Sequence, residues 1–83
     1  MKTVSFIFNI DRKTWSTLDA GKERIVMARI IDGTLRDTKV GWWTGGAVKG
    51  TSLVFYCMVT DELVAKHTLL KELSGHPLTR FLV

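Results

Sequence analysis

Residues 52–59, SLVFYCMV, are apolar at nearly every position. A strand sends alternate side chains to opposite faces, so Leu53, Phe55, Cys57 and Val59 share one side and Val54, Tyr56 and Met58 the other. A segment apolar on both faces needs cover on both, which places it in the middle of a sheet. The chain has 83 residues, enough for one domain in which burial is incomplete and stability modest. With 46% hydrophobic and 24% charged residues it is neither disordered nor fibrous in composition.

A second strand is written at the start. In TVSFIFNI, Val4, Phe6, Phe8 and Ile10 fall on one face, and Thr3, Ser5, Ile7 and Asn9 on the other. Asp11 ends that run, and Asp11 or Thr14 can cap a short helix pairing Trp15 with Leu18, which Gly21 would close. Arg24 to Ile31 is apolar at most positions. Its β-branched residues Ile25, Val26, Ile30 and Ile31, followed by Asp32-Gly33, predict a strand entering a tight hairpin. Leu35 to Trp43 is then a poorly phased return strand, and Gly41, Gly45, Gly46 and Gly50 mark a loop-like or bent region.

Thr60 is a suitable N-cap for the next helix, with Asp61 and Glu62 at the positive end of its dipole. That helix is expected to bury Leu63, Val64, Leu70 and Leu73 and to stop at Gly75, ahead of Pro77. Leu78 to Val83 reads as a last short strand. The expected class is α+β: a mostly antiparallel sheet of four or five strands with one main and one short helix on one face. The expected core is Phe6, Phe8, Val54 or Phe55, Leu63, Leu70 and Leu73. Demoting the irregular piece around Leu35 gives β-α-β-β-α-β, an order that resembles ferredoxin-like domains.

The stretch KVGWWTGGAVKG, residues 39–50, sets adjacent tryptophans among glycines. On a regular strand Trp42 and Trp43 face opposite ways, so at least one ring is expected outside the core. The formal charge is +4, all of it in the first 60 residues, and no acid lies between Thr38 and Thr60. Trp42 and Trp43 with Arg36, Lys39 and Lys49 therefore read as anchors of a macromolecular contact. The apolar load on both strand faces also predicts a homodimer.

Catalytic and metal chemistry find little support. His67 reads as a partly buried structural imidazole on the helix stripe, and His76 as a group at the helix C-terminus. Cys57 reads as a small strand hydrophobe, and one cysteine with two histidines cannot fill a zinc site alone. Asp32, Asp61 and Glu62 each have a structural explanation in a turn or a helix start. GGAVKGTS lacks P-loop spacing and leads into a strand. No cofactor and no metal are expected.

The segment KGTSLVFY, Lys49 to Tyr56, resembles the central-strand motif of RNA-recognition-motif domains, and FIFNI, Phe6 to Ile10, resembles that family's first-strand motif. Thr51 and Leu53 stand where two aromatics would be, which leaves Tyr56. The resemblance covers about 13 residues and implies that Phe6, Phe8 and Tyr56, with Lys49, meet single-stranded nucleic acid on an open sheet face.

Asp11, Arg12 and Lys13 cut off the apolar start, and the longest uncharged stretch, Gly50 to Thr60, is too short for a bilayer. The expectation is a soluble cytoplasmic protein with no membrane partner. The functional expectation is a non-enzymatic binding protein that engages and inhibits or regulates another macromolecule, a protein before a nucleic acid. Small chains of this kind are common among phage and mobile-element accessory proteins.

Overall fold

Alternation makes β1 (Lys2–Asn9) a strand, and the doubly apolar run makes β3 (Ser52–Val59) its neighbour. The computed structural model describes residues 1–83, which continue from β1 through α1 (Arg12–Thr17), α2 (Ala20–Asp37) and β2 (Gly41–Lys49) to β3, α3 (Glu62–Glu72) and a 3-10 turn at Thr79–Phe81. The three strands lie in the order β1-β3-β2, and β3 is antiparallel to both neighbours. The class is α+β.

The long helix corrects the strand expected at Arg24–Ile31. Met27, Ile31 and Leu35 repeat every four residues and, with Ala28, are the buried positions of α2. Ile25 and Val26 point outward, so their β-branched preference has no packing behind it and loses to the helical stripe. Asp19 caps the helix by accepting the Lys22 N–H at 3.2 Å, and Asp32–Arg36 forms an i,i+4 pair at 2.9 Å. Asp32-Gly33 is mid-helix, not a hairpin. Gly21 belongs to the first turn of α2, and α1 has already ended at Thr17, capped at its start by Asp11 and Thr14 N–H.

The glycine-rich stretch is a strand. β2 pairs with β3 along its length, with an irregularity between Trp43 and Gly45 that takes up Thr44. Thr44 Oγ1 donates to the Tyr56 carbonyl at 3.1 Å. At Gly41 a Cβ would overlap the Met58 carbonyl, and at Gly46 it would sit 2.5 Å from the Val54 carbonyl oxygen. Close approach of β3 therefore requires hydrogen at both positions.

The core lies between the helices and one face of the sheet. Val4, Phe6 and Phe8 of β1 meet Leu53, Phe55, Cys57 and Val59 of β3 under Met27, Ile31 and Leu35. Phe8 and Phe55 stack edge-to-face at 5.6 Å, a geometry that contributes roughly 0.5–1.5 kcal/mol beyond area burial. α3 presents Ala65, Leu69 and Leu73 to this core. Of the expected α3 stripe only Leu73 is buried; Leu63 is 79% exposed, and Val64 and Leu70 also face outward. The helix starts one residue later than expected, capped by Asp61, which accepts the Val64 N–H at 3.0 Å.

The sheet stops at three strands. Leu78–Val83 is not a strand: its 3-10 turn swings Leu82 into a single bridge with Phe8, and Val83 N–H donates to Ile7 O at 2.9 Å. Thr79 Oγ1 bonds the Leu73 carbonyl, tying that turn to the end of α3. His76 is half-buried. Its Nδ1 accepts from Leu78 N–H at 3.1 Å, so its Nε2 donates to Glu23 at 3.0 Å and links the loop to α2. No helix is long and apolar enough to cross a membrane.

Candidate functional site

All helices cover one face of the sheet, and the other face is open. Register places Ile7 of β1, Val54, Tyr56 and Met58 of β3, and Trp42 and Ala47 of β2 on the open side. Thr3, Ser5, Asn9, Ser52 and Lys49 rim it, and its strands carry no acidic residue. Val54 is buried there among side chains of its own sheet, outside the helix-covered core.

The two tryptophans part company as their adjacency requires. Trp42 is on the open face beside Met58 and is 38% exposed. Trp43 is on the covered side beside Cys57, packed against the core, and its Nε1 is the one buried side-chain polar atom with no hydrogen-bond partner. Its backbone N–H donates to Asp32 Oδ1 at 3.0 Å, so a helix carboxylate occupies an outward donor of this edge strand.

At the Trp42 end of the face lies a shallow basin of about 310 Å³, lined by Met1, Arg36, Lys39, Gly41, Trp42 and Thr60. Three of the residues picked out by sequence, Arg36, Lys39 and Trp42, thus meet at one place. Lys49 does not; it sits at the far end of β2, about 20 Å away at strand rise. Trp43 lies on the opposite face. Phe6 and Phe8 correct the nucleic-acid reading: both are core side chains on the helix-covered face, so neither ring is offered to a base. Tyr56 is on the open face and half-buried.

Lys39 is positioned by the end of α2. Its N–H donates to Arg36 O at 3.1 Å and the next N–H, of Val40, donates to Leu35 O at 3.0 Å, the paired bonds of a Schellman ending. Such an ending requires a left-handed residue, and Lys39 takes it at φ 59, the only non-glycine in the chain with positive φ. Val40 packs against the core as the motif requires, and Thr60 N–H closes on its carbonyl at 3.0 Å. The Lys39 ammonium has no partner in the protein. Arg36 spends its Nε on both oxygens of Asp32 at 2.9 and 3.0 Å and keeps its outer nitrogens exposed.

Cys57 and His67 do not line this basin. Cys57 is buried in the core, and burial first, then the charge of Asp32, pushes its thiol up to about 12. His67 is exposed on α3, which corrects the partly buried reading. No three His, Cys, Asp or Glu side chains cluster so as to hold one metal ion. Arg36, Lys39 and Trp42 were visible from sequence; Met58, Ile7 and Ala47 were not, because their shared face emerges only from the pairing of β1 and β2 onto β3. Compared with protein-family models, curated proteins and solved structures, the chain matches none.

Proposed function

We propose that this protein is a non-enzymatic binding protein that engages an acidic surface of another protein through its open sheet face, with Trp42 as the anchor. The supporting observation is the basin itself: an exposed indole beside two cations, one held in a left-handed backbone conformation, at the end of an apolar face. Aromatic rings and arginine at the centre of a patch carry much of the energy of protein contacts. Regulation or inhibition follows if the engaged surface is one the partner needs. A second copy of the chain is a further occupant of this face, as the expected homodimer requires. The strand order β1-β3-β2 with the Leu82 bridge beside β1 supports a ferredoxin-like sheet whose fourth strand is reduced to that bridge.

A nucleic-acid reading keeps one favourable observation, the common face of Trp42, Tyr56 and Lys49. It loses Phe6 and Phe8. Salt separates the two readings, because binding through several phosphates weakens by orders of magnitude between low and moderate ionic strength. The test is parallel capture on immobilised wild type and Trp42→Ala. A protein retained by the first and lost from the second, at a cost of about 2 kcal/mol when measured with that protein purified, is the expected result. Equal retention by both refutes the anchor, and tight binding of mixed oligonucleotides at low salt refutes the choice of partner.

A further inference from the structure

We propose that a second cleft, between the amino-terminal half of α2 and the Trp43 ring, binds a small monocarboxylate with an apolar body. The cleft measures about 180 Å³ and is lined by Arg24, Ile25, Ala28, Arg29, Asp32 and Trp43. It opens on the helix side of the β2 edge, across the sheet from Trp42, and its lining residue Asp32 is the one that holds Arg36 of the basin.

The lining divides into an apolar bed and a charged rim. The Trp43 ring, Ala28 and Ile25 make the bed, and Ile25 is 51% exposed at its mouth, an apolar side chain left in water. Arg24 and Arg29 make the rim. Neither guanidinium has a hydrogen-bond or ion-pair partner; the arginine ion pair of the protein is Arg36–Asp32. Arg24 is half-buried as well as unpaired. Asp32 forms no ion pair with either rim guanidinium; its oxygens meet Arg36 and the Trp43 N–H, and its charge still faces the cleft.

The spacing selects the ligand. Arg24 and Arg29 are five residues apart on the helix, about 7.5 Å along its axis and about 140° around it, so they flank the cleft from its two sides, and an anion seated over Ala28 and Ile25 lies between two long cationic side chains. A cavity of about 150 Å³ lined by apolar groups admits benzene. This cleft therefore has room for a phenyl ring on the bed and a short carboxylate arm at the rim. The Asp32 charge at the inner end disfavours a second negative charge on the ligand, so a monoanion is preferred to a phosphate dianion.

Phenylacetate is the probe, and its uncharged isostere phenylacetamide the control. The readout is the Trp43 indole N–H signal in proton–nitrogen spectra of the full chain, identified by its loss in Trp43→Phe; with no acceptor of its own, that N–H reports directly on the ring's surroundings. Phenylacetate should shift it saturably with a Kd in the millimolar range or below, and phenylacetamide should bind at least about tenfold more weakly. The double variant Arg24→Gln with Arg29→Gln should keep the folded spectrum and lose about tenfold in phenylacetate affinity. An unsaturable or absent shift overturns the site, and equal affinity for acid and amide on the wild type overturns its anion specificity without recourse to any variant.

Discussion

Lys39 occupies a backbone position that glycine would fill at lower cost, and the size of that cost can be worked out. A side chain in the left-handed region costs about 1–2 kcal/mol through the contact of Cβ with the neighbouring carbonyl. Glycine avoids this but has more freedom in the unfolded chain, a loss of about 0.4–1 kcal/mol on folding. Lys39→Gly should therefore be more stable than Lys39→Ala by about 0.5–1 kcal/mol. At about 4–8 °C per kcal/mol for a domain of this size, that is a Tm difference of roughly 2–8 °C. The wild type should lie between them, since its ammonium near the carboxyl end of α2 offsets roughly 0.3–0.5 kcal/mol of the strain. Urea unfolding followed by far-ultraviolet circular dichroism measures the midpoints, with equal slopes confirming that only stability has changed. Both variants remove the same charge, so both should weaken capture of the partner equally while their stabilities differ. Equal midpoints for the glycine and alanine variants would refute the strain argument. Undiminished capture by both would refute the reading that the lysine is held there for its ammonium.

Four other outcomes follow from the packing. Trp43→Phe should cost no more than about 1 kcal/mol in chemical denaturation, because it also removes a buried donor that has no acceptor, whereas Trp43→Ala should cost roughly 3–5 kcal/mol. Gly33 lies mid-helix with open space where a Cβ would stand, so Gly33→Ala should raise stability by about 0.5–1 kcal/mol, while Gly41→Ala, facing the Met58 carbonyl, should unfold the chain or displace β2. The Cys57 thiol, pushed up by burial and by Asp32, should resist Ellman's reagent in the native protein and react at once in denaturant. Asp11, at the start of α1, is held below the usual carboxyl range first by the Thr14 hydroxyl and then by the Thr14 N–H. Its contribution is present above the unfolded value of about 3.9 and is lost as pH falls through the lower folded value, so the Thr14 amide signal should move only in that acid window.

The strands that carry their own periodicity were legible in the sequence. β1 alternates cleanly and turns its expected face to the core; β3 is apolar on both sides, so the sequence left Val54 or Phe55 open and the fold chose Phe55. The elements that differ from expectation are those whose pattern is longer or weaker than a short stretch of sequence displays. Ile25, Val26, Ile30 and Ile31 resemble a strand over eight positions, but Met27, Ile31 and Leu35 show their four-residue spacing only across the 18 residues of α2. The α3 stripe was misplaced because Leu63, Val64 and Leu70 outweigh Ala65 in hydrophobicity, while the small Ala65 is the side chain that fits where the helix meets the sheet. For β2 the glycines signalled a loop because nothing local shows that Gly41 and Gly46 lie against β3. The candidate site was half legible: adjacency alone separates the two tryptophans, but only the fold brings Lys39 and Arg36 to one of them and sends Lys49 away.

The order β1-β3-β2 has a consequence for how the chain can acquire its structure. Neither edge strand touches the other; each is held by β3, which is synthesised after both. The short Gly50-Thr51 connection lets β2 and β3 zip locally, whereas Phe6 must wait for Phe55, 49 positions away, before it has a partner. A fragment ending at Lys49 would contain the long helix and two strands, yet no pair of strands able to bond. It should remain unfolded in solution, and addition of the next ten residues, through Val59, should be the smallest extension that gives it a sheet.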